Sequence, residues 1–237
     1  MAFTFALMSP KGGVGKTTTA VILASQITQL GKSVTLIEAD PNGHLQRWAE
    51  QGRLPETVRV VFDGDPEGDT LPGHIEQAAQ ESDYIVIDTE GTHNDRAFIA
   101  AHTADLVVIP MQFSSMDLAG ATAAMGRLDR IEQDGGAPIF RAILPTKVNQ
   151  AIRPASQVQT ELALSAAGIP VLSPGIVEKD AYRLMLANGC LLQDLPLYTK
   201  VANIQPAIDN IQAVLDALAE FYATAINAQL ESEASHG

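Results

Sequence analysis

One loop near the start of the chain gathers three glycines, two lysines and two threonines within residues 10–18, PKGGVGKTT. It follows an apolar run, Phe3–Met8, and precedes a helical pattern over Ala20–Leu30. Glycine has no Cβ, so its backbone can adopt left-handed dihedrals and turn its N–H groups toward an anion. The following helix adds the positive end of its dipole. This order predicts a phosphate-binding loop with contacts from Gly12, Gly13, Val14, Gly15, Lys16, Thr17 and Thr18.

The loop departs from the general P-loop pattern in one informative way. That pattern starts with glycine where this chain has Pro10, and here a second lysine, Lys11, precedes the glycines. The run K-G-G-x-G-K-T-T resembles the deviant Walker A motif of the ParA/MinD family of dimeric ATPases. A glycine-rich turn with chance lysines is the alternative, but it leaves the register of lysines and threonines unexplained. The resemblance implies ATP and Mg²⁺ as cofactors, Lys16 on the phosphates, and Lys11 reaching the nucleotide of a partner chain.

Two further apolar runs end in carboxylates, as buried parallel strands beside a phosphate loop often do. Tyr84–Asp88 matches a Walker B strand, so Asp88 and the hydroxyl of Thr17 are the predicted Mg²⁺ contacts. The run Ser33–Glu38 leads to Asp40, which matches the family aspartate that supports hydrolysis. Asp40 is therefore a predicted catalytic residue together with Lys11 and Lys16. An N-cap for the next helix is the simpler alternative for Asp40, and both roles are compatible.

Several residues near these strands differ from the usual family pattern. The segment D-x-D-P-Q of the family reads Glu38-Ala39-Asp40-Pro41-Asn42 here, which questions a Mg²⁺-proximal role for position 38 and the usual glutamine contact. Glu90 could polarise the attacking water, although a supporting or dimer-contact carboxylate is the favoured interpretation. Gly91 is the expected hinge of the switch segment.

The pattern of elements predicts an α/β fold, a doubly wound, mostly parallel sheet with helices on both faces, as in P-loop NTPases. Seven strands are predicted, the last two over Pro138–Leu144 and Ile169–Leu172. We expect one ATPase domain over residues 1–230 and a disordered tail over 231–237. His93 and His102 have no ligand partners at metal spacing, and neither is assigned to a metal. The helix near Met116–Ile131 is rich in small residues, which indicates close packing in the core or at an interface.

Composition restricts the compartment and the partners. No apolar run is long enough to span a membrane, and no signal-like segment precedes the first strand, so a cytoplasmic location is expected. Cys190 is the single cysteine, which excludes an internal disulfide or a cysteine cluster. The net charge is −13, which opposes DNA or anionic lipid on average. The final helical pattern, 203–230, lacks lysine and arginine and is expected to pack on the domain rather than on a membrane.

One stretch, residues 138–205, is basic against this background, with six basic and four acidic residues. We call it the basic segment. Its strand end predicts Thr146 and Asn149 near the adenine. Ile176–Arg183 resembles a family segment that borders the nucleotide, and Lys179 and Arg183 are the candidate DNA contacts. A solvated, slightly basic surface is an equally good explanation.

The resemblance implies a ParA-like ATPase that dimerises on ATP, binds nonspecific DNA and positions a plasmid, chromosome or protein cargo. A ParB-like or adaptor protein would stimulate its slow hydrolysis, and the ATP-bound form would associate with the nucleoid. Plasmid-partition and T-DNA-transfer members of the family match best. The alternatives are an ATP-dependent metabolic enzyme of the same superfamily and a MinD-like regulator positioned on a membrane. An iron–sulfur reductase is disfavoured because it needs more cysteines.

Overall fold

A computed structural model describes residues 2–65, 67–91, 95–133 and 137–236 of the chain. The β-strands, in chain order, are β1 (Phe3–Leu7), β2 (Val34–Ala39), β3 (Val58–Phe62), β4 (Tyr84–Thr89), β5 (Leu106–Met111) and β6 (Arg141–Pro145). The α-helices are α1 (Lys16–Gln29), α2 (His44–Ala49), α3 (Leu71–Glu81), α4 (Asp95–Thr103), α5 (Ser115–Gln133), α6 (Ala155–Ala166), α7 (Asp180–Ala187) and α8 (Gln205–His236), with a 3₁₀ helix over Leu192–Leu197.

All strand pairs in the sheet are parallel, in the order β3-β2-β4-β1-β5-β6. The chain winds outward in one direction from β1 to β2 and β3, and in the other to β5 and β6. This confirms the predicted doubly wound α/β fold. The register pairs Leu7 with Asp88 and Glu38 with Asp88, so the carboxyl ends of β1, β2 and β4 lie side by side. In such sheets the ligand site lies at this edge, where the strand order reverses.

Alternate residues of the central strands feed two hydrophobic cores, one on each face of the sheet. On β1, Phe5 and Leu7 pack into the core that includes α1, α7 and α8, whereas Ala6 packs into the core of α3, α4 and α5. Each large aliphatic side chain buried in this way contributes roughly 1.5–3 kcal/mol. Burial on both faces explains why these strands read as continuous apolar runs.

Two expectations about the fold are corrected. The predicted seventh strand makes a single bridge, between Ile143 and Val171, because Pro170 has no N–H to donate to the ladder. Helix α8 continues through residues 231–236, where a disordered tail was predicted. No glycine or proline interrupts this stretch, and Gln229 donates to Glu233 one turn later at 2.8 Å. Residue 237 lies outside the described residues, as does His93.

Helix α8 packs on the domain as expected, with Ile211, Val214 and Leu218 buried against α1 and its neighbours. Asn210 of α8 accepts from the N–H of Val177 and the hydroxyl of Tyr182, both at 3.0 Å. Burial raises the pKa of Tyr182. Within the described residues, no helix has both the length and the apolar character needed to cross a bilayer.

Candidate functional site

The glycine loop adopts the conformation that its sequence predicts. Gly13 and Gly15 have φ values of 75° and 106°, in the left-handed region where a side chain would be strained. Helix α1 starts directly after Gly15, and no side chain caps it. The first N–H groups of α1 therefore remain available to an anion in the cleft.

Contacts from distant strands hold the loop in place. Thr146, which is buried, donates its hydroxyl to the carbonyl oxygen of Val14 at 2.7 Å. Lys147 and Gln112 both donate to the carbonyl oxygen of Gly13, at 3.0 and 3.2 Å. These bonds occupy the carbonyl oxygens of Gly13 and Val14 and fix the path of the loop.

Close packing of α5 explains its small residues. A Cβ at Gly120 would lie 2.8 Å from Cγ of Pro10, closer than side chains tolerate. Ala121 and Ala124 are buried in the core on the same helix. The small-residue face of α5 therefore packs against the start of the phosphate loop and the sheet of its own chain.

The two lysines of the loop are held in different ways. Lys16 lines the cleft and is 8% exposed, and within the described ranges no hydrogen bond or ion pair engages its ammonium. Lys11, in contrast, forms an ion pair of 2.8 Å with Asp117 of α5, whose side chain is 1% exposed. Asp117 also accepts from the hydroxyl of Ser114. Lys16 thus faces the ligand position, whereas Lys11 is bound to its own chain.

Thr17 and Asp88, the two predicted Mg²⁺ contacts, lie side by side. The Thr17 hydroxyl donates to Oδ2 of Asp88 at 2.6 Å, and Oδ1 of Asp88 is buried without a hydrogen-bond partner. Burial raises the pKa of Asp88 to about 7, the charges of Asp40 and Glu38 add to the rise, and the Thr17 bond and Lys16 oppose it. An unpaired buried carboxylate oxygen beside a threonine hydroxyl fits Mg²⁺, which binds few protein oxygens and completes its shell with phosphate and water.

The Asp40 loop shows a division of roles between two carboxylates. Asp40 lines the cleft, and its Oδ1 accepts from the backbone and side-chain nitrogens of Asn42, at 2.9 and 2.8 Å. Glu38 is fully buried and accepts from the N–H groups of Leu45 and Gln46, at 2.7 and 2.8 Å. Glu38 therefore satisfies the start of α2, and the N-cap interpretation of Asp40 is wrong.

A cleft of about 590 Å³ opens above the phosphate loop, within the usual size range of ligand sites. Lys16, Thr17, Asp40 and Glu90 line it, together with residues that the sequence did not single out: His44, Arg47, Trp48, Gln51, Lys147, Leu186 and Ala187. Trp48 is also buried in the hydrophobic core. Lys147 could have been anticipated, because it lies two residues after the buried end of β6 and next to Thr146. Glu90 lies at the cleft, and both interpretations of it stay predictions.

A smaller pocket of about 80 Å³ continues from the loop, between Thr146 and Val177. Lys179 and Arg183 line its rim, so the candidate DNA contacts lie next to the nucleotide cleft. Asn149 lines neither cavity: it is exposed, and its side-chain oxygen accepts from the N–H of Ala151 at 2.9 Å. Of the two predicted adenine-side residues, only Thr146 reaches the site, and there it supports the loop.

The remaining titratable candidates form no metal centre. Across the described residues, no three histidine, cysteine or acidic side chains come together in an arrangement that could hold a metal ion. His102 lies on the exposed side of α4. Cys190 is buried, which raises the pKa of its thiol to about 11.

Comparison with known proteins agrees with this geometry. The family model described as VirC1 protein matches residues 2–232. The chain belongs to the VirC1 family. Protein ParA of Rhizobium radiobacter is 30% identical over 205 residues, which cover 86% of this chain and 90% of that protein. Maintenance of carboxysome distribution protein A of Gloeobacter kilaueensis is 38% identical over 187 residues, which cover 78% of this chain and 81% of that protein.

Solved structures show the same fold. An ATP complex of a McdA variant from Cyanothece has a TM-score of 0.71 at 18% identity, with 92% of this chain and 96% of that chain covered. The septum site-determining protein MinD of Pyrococcus horikoshii, complexed with Mg-ADP, has a TM-score of 0.64 at 18% identity. The match covers 94% of this chain and 99% of that chain. This VirC1-family chain is thus a member of the ParA-type partition and positioning ATPases, and the predicted family resemblance is confirmed.

Proposed function

We propose that this chain is a nucleotide-switched positioning ATPase that hydrolyses ATP to ADP and phosphate. The Thr17–Asp88 contact beside an uncapped phosphate loop carries this proposal, because a carboxylate and a hydroxyl meet there within the field of Lys16. ATP would lie on residues 11–18, with Mg²⁺ between its phosphates, Thr17 and Asp88. Asp40 would orient the attacking water, and the cation would neutralise charge on the phosphates.

The position of Lys11 supports a dimer as the active state. Its ammonium is bound to Asp117 in the single chain, and it would exchange this partner for the nucleotide of a second copy. Such an exchange replaces one charged contact with another, so the cost of breaking the ion pair is offset on dimerisation. The two chains would then share both nucleotides.

The DNA interface would lie on the rim that Lys179 and Arg183 form beside the cleft. Lys200 lies with Lys179 around another small depression, and no ion pair in the described part of the chain engages either ammonium. Nonspecific DNA binding of this kind depends on phosphate contacts and falls with salt. A ParB-like or adaptor protein would stimulate hydrolysis, and the ATP-bound dimer would associate with the nucleoid in the cytoplasm.

The test uses Asp40→Ala, which is expected to retain ATP without hydrolysing it. Binding to nonspecific duplex DNA is measured with Mg-ATP and with Mg-ADP across a salt series. Asp209→Ala is the control, because it removes an exposed acid of α8 and changes the net charge equally. We expect binding only with ATP, falling steeply with salt. A dimer that forms on ATP but binds no DNA would exclude DNA as the track.

A further inference from the structure

Helix α2 forms the wall of the cleft that faces the phosphate loop. It contributes Arg47 and His44 to the same cavity that Lys16 and Thr17 line. The sequence assigned neither residue a role. A cationic side chain in this position faces the cavity in which the phosphate loop would bind an anion.

A buried residue of β2 fixes the orientation of α2. Both carboxylate oxygens of the fully buried Glu38 accept from the first N–H groups of α2, those of Leu45 and Gln46. These N–H groups are consequently not available to a ligand. The guanidinium of Arg47 is therefore the positively charged group that α2 offers to the cleft.

The guanidinium is held by neutral acceptors. Its Nη1 donates to the carbonyl oxygen of Asn42 at 2.5 Å, and its Nη2 donates to Nδ1 of His44 at 2.9 Å. A guanidinium has no acceptor, so Nδ1 of His44 must accept. Asn42 in turn is bonded to Asp40. Arg47 is thus attached to the loop that carries the candidate catalytic aspartate.

No carboxylate of the described residues lies within ion-pair distance of Arg47, in contrast to Arg153 and Arg183, which each have an acidic partner. The side chain is exposed and lines the cleft. Guanidinium groups bind phosphate oxygens through charge-assisted and often bidentate hydrogen bonds.

We propose that Arg47 is a further phosphate-binding residue, which contacts the terminal phosphate of a nucleoside triphosphate and makes the triphosphate bind more tightly than the diphosphate. The proposal rests on the proposed function, in that the cleft must bind ATP. Glu38 and His44 act as positioning residues, since Glu38 anchors α2 and His44 orients the guanidinium. The competing explanation is that Arg47 only stabilises the loop that contains Asp40 and Asn42.

The test compares the affinities of Mg-AMPPNP and Mg-ADP by titration calorimetry. Arg47→Ala is expected to weaken AMPPNP binding about tenfold or more, the size of one lost charge-assisted hydrogen bond, and to leave ADP within about twofold. Arg47→Lys keeps the charge and is expected to lose less than Arg47→Gln, which keeps a donor. Arg59→Ala, which removes an exposed arginine of β3 that pairs with Glu81, is the control and should change neither affinity.

The same titrations in a Lys11→Ala background separate a contact within one chain from an effect of dimerisation. The tenfold loss should persist there. An equal loss for AMPPNP and ADP, no loss, or a loss that disappears without Lys11 would each overturn the role of Arg47. Thermal unfolding identifies any variant that fails to fold. If Arg47→Ala fails to fold, the AMPPNP affinities of Arg47→Lys and Arg47→Gln are compared instead, and equal affinities would overturn the phosphate contact. If the wild-type chain binds neither nucleotide, the proposed function fails instead.

Discussion

The phosphate loop carries two cationic side chains and the basic segment carries six, and the two regions hold that charge differently. In the loop, Lys16 faces the cleft without an ion-pair partner in the described residues, and backbone N–H groups add to its field. In the basic segment the arginines have acidic partners within the chain: Arg141 with Asp129 and Glu132, Arg153 with Glu161, and Arg183 with Glu178 and Asp180.

This difference separates a built anion site from a charged surface. A buried or half-buried charge is weakly screened and acts strongly on a ligand, whereas exposed ion pairs contribute little and are screened by salt. A count of lysines and arginines therefore overstates the capacity of the basic segment to bind phosphate. Among the described residues, the lysines of this segment have no acidic partner; Lys147 donates to the carbonyl oxygen of Gly13, so Lys179 and Lys200 carry most of what remains of this capacity.

Removing the buried charge of Lys16 from the phosphate loop should have the largest effect, a loss of nucleotide affinity. Lys16→Ala is expected to weaken Mg-ATP binding by roughly a hundredfold or more, because charge-assisted phosphate contacts in a cleft exceed those at a surface. Lys32→Ala is the matched control, since Lys32 is exposed and lies 3.6 Å from Asp83. Calorimetric titration measures both. A loss of less than tenfold for Lys16→Ala would show that the backbone N–H groups dominate phosphate binding.

Removing the buried carboxylate that holds α2 in place should have the next largest effect, on the stability of the fold. Glu38→Ala leaves the buried N–H of Leu45 and the half-buried N–H of Gln46 without their carboxylate acceptor, and is expected to lower the free energy of unfolding by about 2–4 kcal/mol. Urea denaturation followed by circular dichroism measures the change. Glu56→Ala, at an exposed acid, should stay within about 0.5 kcal/mol of the wild type. Equal stabilities of the two variants would contradict the capping role of Glu38.

Sequence reasoning succeeded where the chemistry is local or follows the strand pattern. The glycine loop lies within nine consecutive residues, and Asp88 terminates an apolar run, so both could be recognised without tertiary contacts. The parallel order of the sheet then brings Asp88 to Thr17. The fold class follows from the same alternation of apolar runs and helical patterns.

It failed where the partner is remote or where one residue blocks a pattern. Asp117 lies more than a hundred positions from Lys11, so nothing in the sequence indicates that it holds this lysine. Pro170 interrupts an otherwise convincing seventh strand. Glu38 could be read as a departure from a family pattern, but only the path of the chain into α2 shows what the longer carboxylate reaches.

Weakening the contact that restrains Lys11 should have a moderate effect on assembly, if the proposed dimer forms. Asp117→Asn removes the charge but retains an acceptor for Ser114, so Lys11 should leave its own chain more readily. We expect the AMPPNP-dependent dimer to form at roughly threefold to tenfold lower protein concentration, equivalent to about 1 kcal/mol. Sedimentation velocity measures this. Asp83→Asn, an exposed acid 3.6 Å from Lys32, is the control, and a weaker dimer in Asp117→Asn would refute the restraint.

The smallest expected effects concern the basic segment and test the distinction between paired and unpaired charges directly. Replacing both Lys179 and Lys200 with alanine should reduce the slope of log affinity for duplex DNA against log salt by about 1.8, because each phosphate contact contributes about 0.9. Arg183→Ala should change the slope less, since Glu178 and Asp180 already compensate that charge. If Arg183→Ala reduces the slope as much as either lysine, the arginine must leave its acidic partners on DNA. Ion pairing in the free chain would then be no guide to its nucleic-acid surface.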